Sequence, residues 1–141
     1  MNKISALALF ALLYAASASA DPAVEVKGFH PKVLASLLEF GHLPELSGKY
    51  QLRVTEIAID PEGLMGAHHH LGPGVRCLTS GELTYMMLGK TTIYRAGECF
   101  TETGAVTHEA RNAGATPVKL LNFEILPAAL PADKGSLVPA E

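Results

Sequence analysis

Short β-type segments separated by glycine-containing turns occupy most of the chain after residue 50. Residues 50–60 alternate between apolar and polar side chains with period two, which is typical of a half-buried strand. Further β-rich segments follow at residues 75–87, 91–95 and 117–126. Short strands at near-regular spacing predict an all-β barrel or sandwich.

The length of 141 residues suits one ordinary domain rather than two. We place the barrel at residues 49–127. Residues 21–48 form a lead-in with a predicted helical segment, because Pro31 suits the first position of a helix and Gly41 suits its end. Residues 128–141 show little periodicity and are predicted to be a loose C-terminal tail.

The first twenty residues have the pattern of a secretory signal peptide. Lys3 precedes an apolar run over residues 6–16, and an Ala-Ser-Ala cleavage site ends at Ala20. The run is shorter than the ~20 residues that a membrane-spanning helix needs. We expect a signal peptide over residues 1–20, cleavage after Ala20, and a periplasmic or secreted protein with no membrane segment in its mature form. An uncleaved anchor is the alternative.

Net charge bears on the class of partner, and cysteine content bears on the presence of a disulfide. The formal net charge is −3, removal of Lys3 makes it more negative by one, and the chain contains no basic run, so we expect no nucleic-acid partner. Cys77 and Cys99 are the two cysteines. An oxidising compartment allows a disulfide between them, but their spacing is equally compatible with two separate buried thiols.

Histidines supply the candidate metal ligands. Residues i and i+2 of a strand face the same side, so His68 and His70 point one way and His69 points the other. His108, from a later strand, could complete a set of three imidazoles that binds a divalent transition metal and leaves a position open. The alternatives are an exposed polar loop, or a metal-free site in which the histidines only form hydrogen bonds.

Residues 66–82 and 95–108 resemble, in order, the two motifs of the cupin superfamily. The first contains two histidines one residue apart followed by a strand and glycine, and the second ends on a histidine with Asn112 four residues later. The resemblance covers about residues 50–126. It implies a small jelly-roll barrel, commonly a homodimer, with a metal or ligand site inside. The expected fold is therefore an all-β small cupin barrel with a short helical lead-in.

One departure from the cupin pattern concerns the metal ligands. The glutamate of the first motif falls on Gly74, so the resemblance carries over only His68, His70 and His108 as ligands. Three imidazoles without a carboxylate hold about one more positive charge and should prefer an anionic co-ligand. We expect a divalent ion, namely iron, manganese, nickel, copper or zinc, and a small anionic ligand.

Arg76 is the candidate substrate-binding residue. If the strand alternates from the histidines onward, Arg76 points inward and needs a carboxylate partner, for which Glu56, Glu102 and Glu124 are candidates. An inward Arg76 could instead bind an anionic substrate beside the metal. A register shift at the turn of residues 72–74 would make Arg76 a solvated surface residue.

Three functions are compatible with this pattern. The first is a metal-dependent enzyme of oxygenase, isomerase or lyase type that acts on a small anionic substrate. The second is a non-catalytic module that binds or senses a metal or small ligand, and an interaction scaffold is a third. The sequence assigns no catalytic residue. Glu102, six residues before His108, is the nearest candidate for a general base.

Overall fold

The structure, a computed structural model, describes residues 23–140. The all-β prediction is confirmed within this range. The signal peptide predicted for residues 1–20 lies outside the described residues. No helix in the described range is long and apolar enough to cross a membrane. The strands are β1 (Val26–Leu37), β2 (Tyr50–His70), β3 (Gly74–Ser80), β4 (Glu82–Met87), β5 (Lys90–Arg95), β6 (Cys99–Glu102), β7 (His108–Arg111), β8 (Val118–Pro127) and β9 (Leu137–Pro139).

Strand β2 organises the nearly closed antiparallel barrel. The strand order is β5-β4-β7-β2-β8-β3-β6, and β1 and β9 also pair with β2. Strand β2 bends at residues 61–63, where Glu62 has a φ of 61°. Before the bend β2 pairs with β8, and after it β2 pairs with β7. Strand β2 therefore contributes both core residues and the first two histidines.

Successive residues of β2 alternate between the inner and outer faces of the barrel, but from residue 51 to residue 55 the inner side chains are the polar Gln51, Arg53 and Thr55. In the first half of β2, residues 51, 53, 55, 57 and 59 are buried, while the residues between them are less so. The inward apolar side chains of the strands form one core, because burial removes their surface from water. This core consists of Ile57, Ile59, Met65, Leu78, Leu83, Tyr85, Phe100, Ala110, Val118 and Leu120.

The helical lead-in predicted from Pro31 and Gly41 is wrong. Residues 26–37 form strand β1, which pairs antiparallel with β2 from Leu52 to Met65. The long edge of β2 requires a backbone partner, and this tertiary pairing outweighs the local helical signals. Pro31 is tolerated because β1 pairs with no described strand besides β2, and an edge strand can hold a residue without an N–H group.

The predicted loose tail also differs from the structure. Strand β9 pairs with the last three residues of β2, at His68, His69 and His70. The buried guanidinium group of Arg53 donates hydrogen bonds to the carbonyl oxygens of residues 130, 131 and 134. These long-range bonds order the tail, and they have no signature in its own sequence.

The two cysteines form a disulfide. Cys77 on β3 and Cys99 on β6 are register partners, and they are bonded to each other. The alternative of two separate thiols is therefore excluded. The bond joins β3 to β6, which lies at one end of the strand order.

Removal of this disulfide should lower the stability of the barrel. The bond closes a loop with a sequence separation of 22 residues, and restriction of the unfolded chain by such a loop contributes about 3 kcal/mol. We expect the double variant Cys77→Ser/Cys99→Ser to lose about that much free energy of unfolding in urea titrations. The reduced wild-type protein serves as the control, and an unchanged denaturation midpoint would contradict the prediction.

Candidate metal centre

Three imidazoles meet at the end of β2. His68 on β2 is the register partner of His108, the first residue of β7, and His70 lies two residues further along β2 on the same side. One ring nitrogen from each histidine lies within 4.8 Å of the others. The structure thus brings together all three predicted ligands. The ring centroids are 4.3 to 5.2 Å apart.

Backbone carbonyls determine the tautomers of two of these rings. Nδ1 of His68 lies 2.6 Å from the carbonyl oxygen of Gly66, and Nδ1 of His108 lies 3.0 Å from that of Val106. A carbonyl oxygen can only accept a hydrogen bond, so each Nδ1 carries the hydrogen. The unprotonated Nε2 of each neutral ring is then the nitrogen that can bind a metal.

His70 is oriented by a different pair of groups. Its Nδ1 lies 3.0 Å from Oγ of Ser136 and 3.2 Å from Oε1 of Glu124. The Ser136 hydroxyl donates its hydrogen to Glu124 at 2.7 Å, so both Ser136 Oγ and the Glu124 carboxylate are acceptors towards His70, and Nδ1 carries the hydrogen that they share. His70 therefore also presents Nε2 to the centre. Ser136 was not predicted, because it lies far away in the C-terminal segment.

Burial keeps two of the imidazoles neutral. Burial is the main cause that lowers the pKa of His68 to about 4. Burial also lowers the pKa of His108, although the negative charge of Glu102 acts against this. Metals bind the neutral form of imidazole, so these side chains are ready to bind a metal at neutral pH.

A buried ionic cluster borders the imidazoles. Arg76 is 4 % exposed, so the alternative of a solvated surface residue is wrong. Its Nη2 donates a 3.0 Å hydrogen bond to Oε1 of Glu124 and lies 2.8 Å from Oε2 of Glu102. Glu56, the third predicted partner, lies on the other face of β2 and is only half-buried. The site therefore has two carboxylates beside it, in place of the carboxylate-free surroundings expected from Gly74.

These residues fit a divalent metal ion. The Nε2 atoms of His70 and His108 lie 3.3 and 3.1 Å from the carboxylate oxygens of Glu102, so groups that accept hydrogen bonds face one another. No described residue donates a hydrogen bond to Oε2 of Glu102. A cation between such groups would satisfy them together, and imidazole and carboxylate are common metal ligands.

The imidazoles open onto a cavity inside the barrel. Its volume is about 240 Å³, and strand β1 and residues 132–137 of the C-terminal segment contribute to its wall. Tyr85 lines the cavity and stacks on His108, with ring centroids 5.0 Å apart. Burial, followed by the negative charge of Glu102, raises the pKa of Tyr85 far above its usual range. The Tyr85 hydroxyl therefore stays protonated and can donate a hydrogen bond.

Asn112, four residues after the histidine that ends the second motif, stabilises the fold through hydrogen bonds to the backbone. It is fully buried, and its Nδ2 lies within hydrogen-bond distance of the carbonyl oxygens of Ile59, Asp60 and Thr116. Its Oδ1 accepts a hydrogen bond from the backbone N–H of Gly114. Asn112 thus joins the loop after β7 to the bend of β2. Its side chain bonds to backbone groups and does not belong to the group of possible metal ligands.

Glu124 should make the stability of the metal-free protein depend on pH. Burial alone would raise its pKa, but the hydrogen bond from His70, the charge of Arg76 and the hydrogen bond from Ser136 leave the pKa below its usual 4.5. A lowered folded pKa gives stability that is present above the unfolded value and is lost as the pH falls through the folded value.

We therefore expect wild type to be more stable than Glu124→Gln at about pH 7, and the difference to shrink below about pH 4.5. A protonated glutamic acid resembles glutamine, which is why the two proteins should converge in acid. Urea denaturation in the presence of a chelator measures the difference. A difference that is constant or grows on acidification would contradict the prediction.

Comparisons with known proteins agree with this architecture. The family model described as Cupin domain (Cupin_2) matches residues 55–124. A cupin domain from Bordetella pertussis is similar with a TM-score of 0.51 and 21 % identity, over 72 % of this chain and 96 % of that chain. No curated protein matches the chain.

Two further solved structures share the fold. The polyketide cyclase RemF from Streptomyces resistomycificus has a TM-score of 0.58 and 15 % identity, over 86 % of this chain and 81 % of that chain. A protein with a double-stranded β-helix domain from Klebsiella pneumoniae has a TM-score of 0.57 and 19 % identity, over 80 % of this chain and 84 % of that chain. The cupin fold predicted from the two motifs is confirmed.

Proposed function

We propose that this protein binds a divalent transition metal through His68, His70 and His108 and presents the metal to a small molecule inside the barrel. The match of residues 55–124 to the cupin domain family is the premise of this proposal. The observation that carries the proposal is the orientation of the three rings. Each Nδ1 is held by a described acceptor, which leaves three Nε2 atoms for one ion. Such partners fix ring orientation in metal sites.

We propose a metal-dependent enzyme of oxygenase, isomerase or lyase type. Iron, manganese, nickel, copper and zinc all suit imidazole ligands, and when bound such an ion supplies Lewis acidity or, for a redox-active metal, activation of oxygen. The chain itself provides the enclosed cavity and the protonated hydroxyl of Tyr85 at its wall. Among known cupin-fold proteins, the neighbour RemF is a polyketide cyclase.

A small anionic substrate suits the charge of the loaded site. With both carboxylates ionised, Glu102 and Glu124 leave the cluster around Arg76 with one net negative charge. A divalent ion changes this to one net positive charge, which attracts an anion. Nη1 of Arg76 is buried, and no described residue accepts a hydrogen bond from it. We assign this atom to substrate binding.

A non-catalytic module that binds or senses a metal or small ligand is the second candidate. Glu102 and Glu124, the buried carboxylates among the described residues of the cavity wall, both contact Arg76. The hydrogen bond from His70 and the charge of Arg76 lower the pKa of Glu124, which makes its carboxylate a weaker base. This pairing favours binding without turnover.

Metal analysis of the mature protein, purified from the periplasm, tests the proposal. We expect about one transition metal per chain, and we expect oxygen uptake or product formation with small carboxylates or thiols. Stoichiometric metal without turnover across that panel would favour the binding module. No metal after reconstitution with iron, manganese, nickel, copper or zinc would overturn both versions.

Export and assembly are proposals as well. We propose a periplasmic or secreted mature chain that starts at Asp21, and N-terminal sequencing of the exported protein tests the cleavage site. The Cys77–Cys99 disulfide supports an oxidising compartment. We also propose a homodimer, supported by the cupin resemblance and by exposed Leu34 and Leu37 on β1. Analytical ultracentrifugation tests it.

A further inference from the structure

The carboxylate of Glu102 shares the space into which the imidazoles point. Glu102 ends β6, and its side chain is 6 % exposed. Its Oε1 lies 3.1 Å from Nε2 of His108, and its Oε2 lies 3.3 Å from Nε2 of His70. Both nitrogens are the ones left free by the bonds at Nδ1. One carboxylate thus spans two of the three candidate ligands.

These contacts are not ordinary hydrogen bonds. Nδ1 of His70 and Nδ1 of His108 already have hydrogen-bond partners, Ser136 Oγ and the Val106 carbonyl, so in a neutral ring the single hydrogen lies on Nδ1. Each Nε2 then presents a lone pair to a carboxylate oxygen, which also accepts hydrogen bonds. Two acceptors at such a distance repel unless a cation lies between or beside them.

The ion pair with Arg76 accounts for one oxygen of Glu102, Oε2, and leaves Oε1 facing His108. Nη2 of Arg76 donates its hydrogen bond to Glu124, and the 2.8 Å contact with Oε2 of Glu102 lacks hydrogen-bond geometry. A pairing between these two groups alone would align the guanidinium with the carboxylate. The carboxylate also faces the imidazoles.

We propose that Glu102 is a fourth ligand of the metal ion, so that the donor set is three imidazoles and one carboxylate. This inference rests on the proposed metal-binding function and names a ligand outside the three histidines. The barrel supplies the carboxylate from β6 at the position that faces Gly74 on β3. A side chain at residue 74 would collide with the backbone carbonyl oxygen of Phe123 on β8, so β3 itself has no room for an acidic ligand there.

The ligand role predicts an effect that a simple ion pair with Arg76 does not. We compare Glu102→Gln with the matched control Glu124→Gln, since each removes one carboxylate that contacts Arg76. Zn²⁺ affinity, measured by competition with a chelator, should fall more than about 100-fold in Glu102→Gln. In Glu124→Gln it should fall by roughly 10–100-fold, the range for a group that orients a ligand.

Co²⁺ gives a readout that is independent of affinity. Its visible absorption reports the ligand set and geometry, so the spectrum should change in Glu102→Gln and stay the same in Glu124→Gln. If Glu102→Gln does not fold, the side-chain carboxyl ¹³C resonance of Glu102 in the wild type should shift on addition of Zn²⁺, and more than that of Glu124.

The outcomes separate this inference from the proposed function. Wild type that binds neither Zn²⁺ nor Co²⁺ overturns both. Wild type that binds these ions, with equal affinities and unchanged Co²⁺ spectra in the two variants, overturns the Glu102 ligand alone. An unshifted Glu102 resonance in Zn²⁺-loaded wild type does the same. Selective loss of affinity and a changed spectrum in Glu102→Gln support it.

Discussion

Replacing His108 with alanine should lower the affinity for a divalent metal by more than about 100-fold. His108 contributes one of three nitrogens that lie within 4.8 Å of one another, and His68, its register partner, cannot complete the set with His70 alone. Loss of an orienting partner weakens metal affinity roughly 10–100-fold, and we expect loss of a ligand to exceed this. Elemental analysis and Zn²⁺ titration of refolded, chelator-treated protein measure the effect.

His69→Ala is the matched control for this variant. His69 belongs to the same histidine triplet but points to the other side of β2 from His68 and His70. The His69→Ala variant should therefore retain the wild-type metal content. Equal metal loss in both variants would mean that the ion is held by the surface triplet rather than inside the barrel.

Replacing Arg76 with methionine should strongly destabilise the metal-free protein. The change leaves Glu102 and Glu124 buried beside each other without their guanidinium, and both side chains are nearly inaccessible to solvent. Breaking a buried ion pair by removing one partner costs about 3–5 kcal/mol. We expect a loss of that size in the free energy of unfolding, measured by urea denaturation with chelator present.

Added metal should reduce this loss, because a divalent cation replaces part of the missing positive charge. Arg95→Met is the control. Arg95 contacts Glu82 at 2.7 Å on the surface, where an ion pair contributes about 0–1 kcal/mol. Similar losses in the two variants would contradict the buried cluster. Unchanged affinity of Arg76→Met for anionic ligands would remove Arg76 from substrate binding.

Local pattern was enough to predict the barrel and the three imidazoles. Successive side chains of a strand point in opposite directions, so alternation can be detected within a short segment such as residues 50–60. The same rule placed His68 and His70 on one side. Alternation also predicts an inward Arg76, provided that the turn of residues 72–74 does not shift the register. The structure meets this condition, because Arg76 is buried.

Local pattern failed where partners are distant in the chain. Pro31 and Gly41 resemble helix boundaries, but pairing with β2 determines the conformation of residues 26–37. The tail looked loose because nothing in residues 128–141 signals the bonds from Arg53 or the role of Ser136. A hydrogen bond or strand pairing over such separations has no local period to detect.

Local sequence pattern was thus sufficient for the class of fold and for a candidate donor set of three imidazoles, but not for the inner face of β2, where Arg53 is buried. The disulfide between Cys77 and Cys99, the contact of Ser136 with His70 and the position of Glu102 beside the ligand nitrogens became visible in the folded chain alone. Side-chain alternation along a strand is local, whereas the distance between two strands follows from the register of the whole sheet. The chemistry of this site depends on that distance.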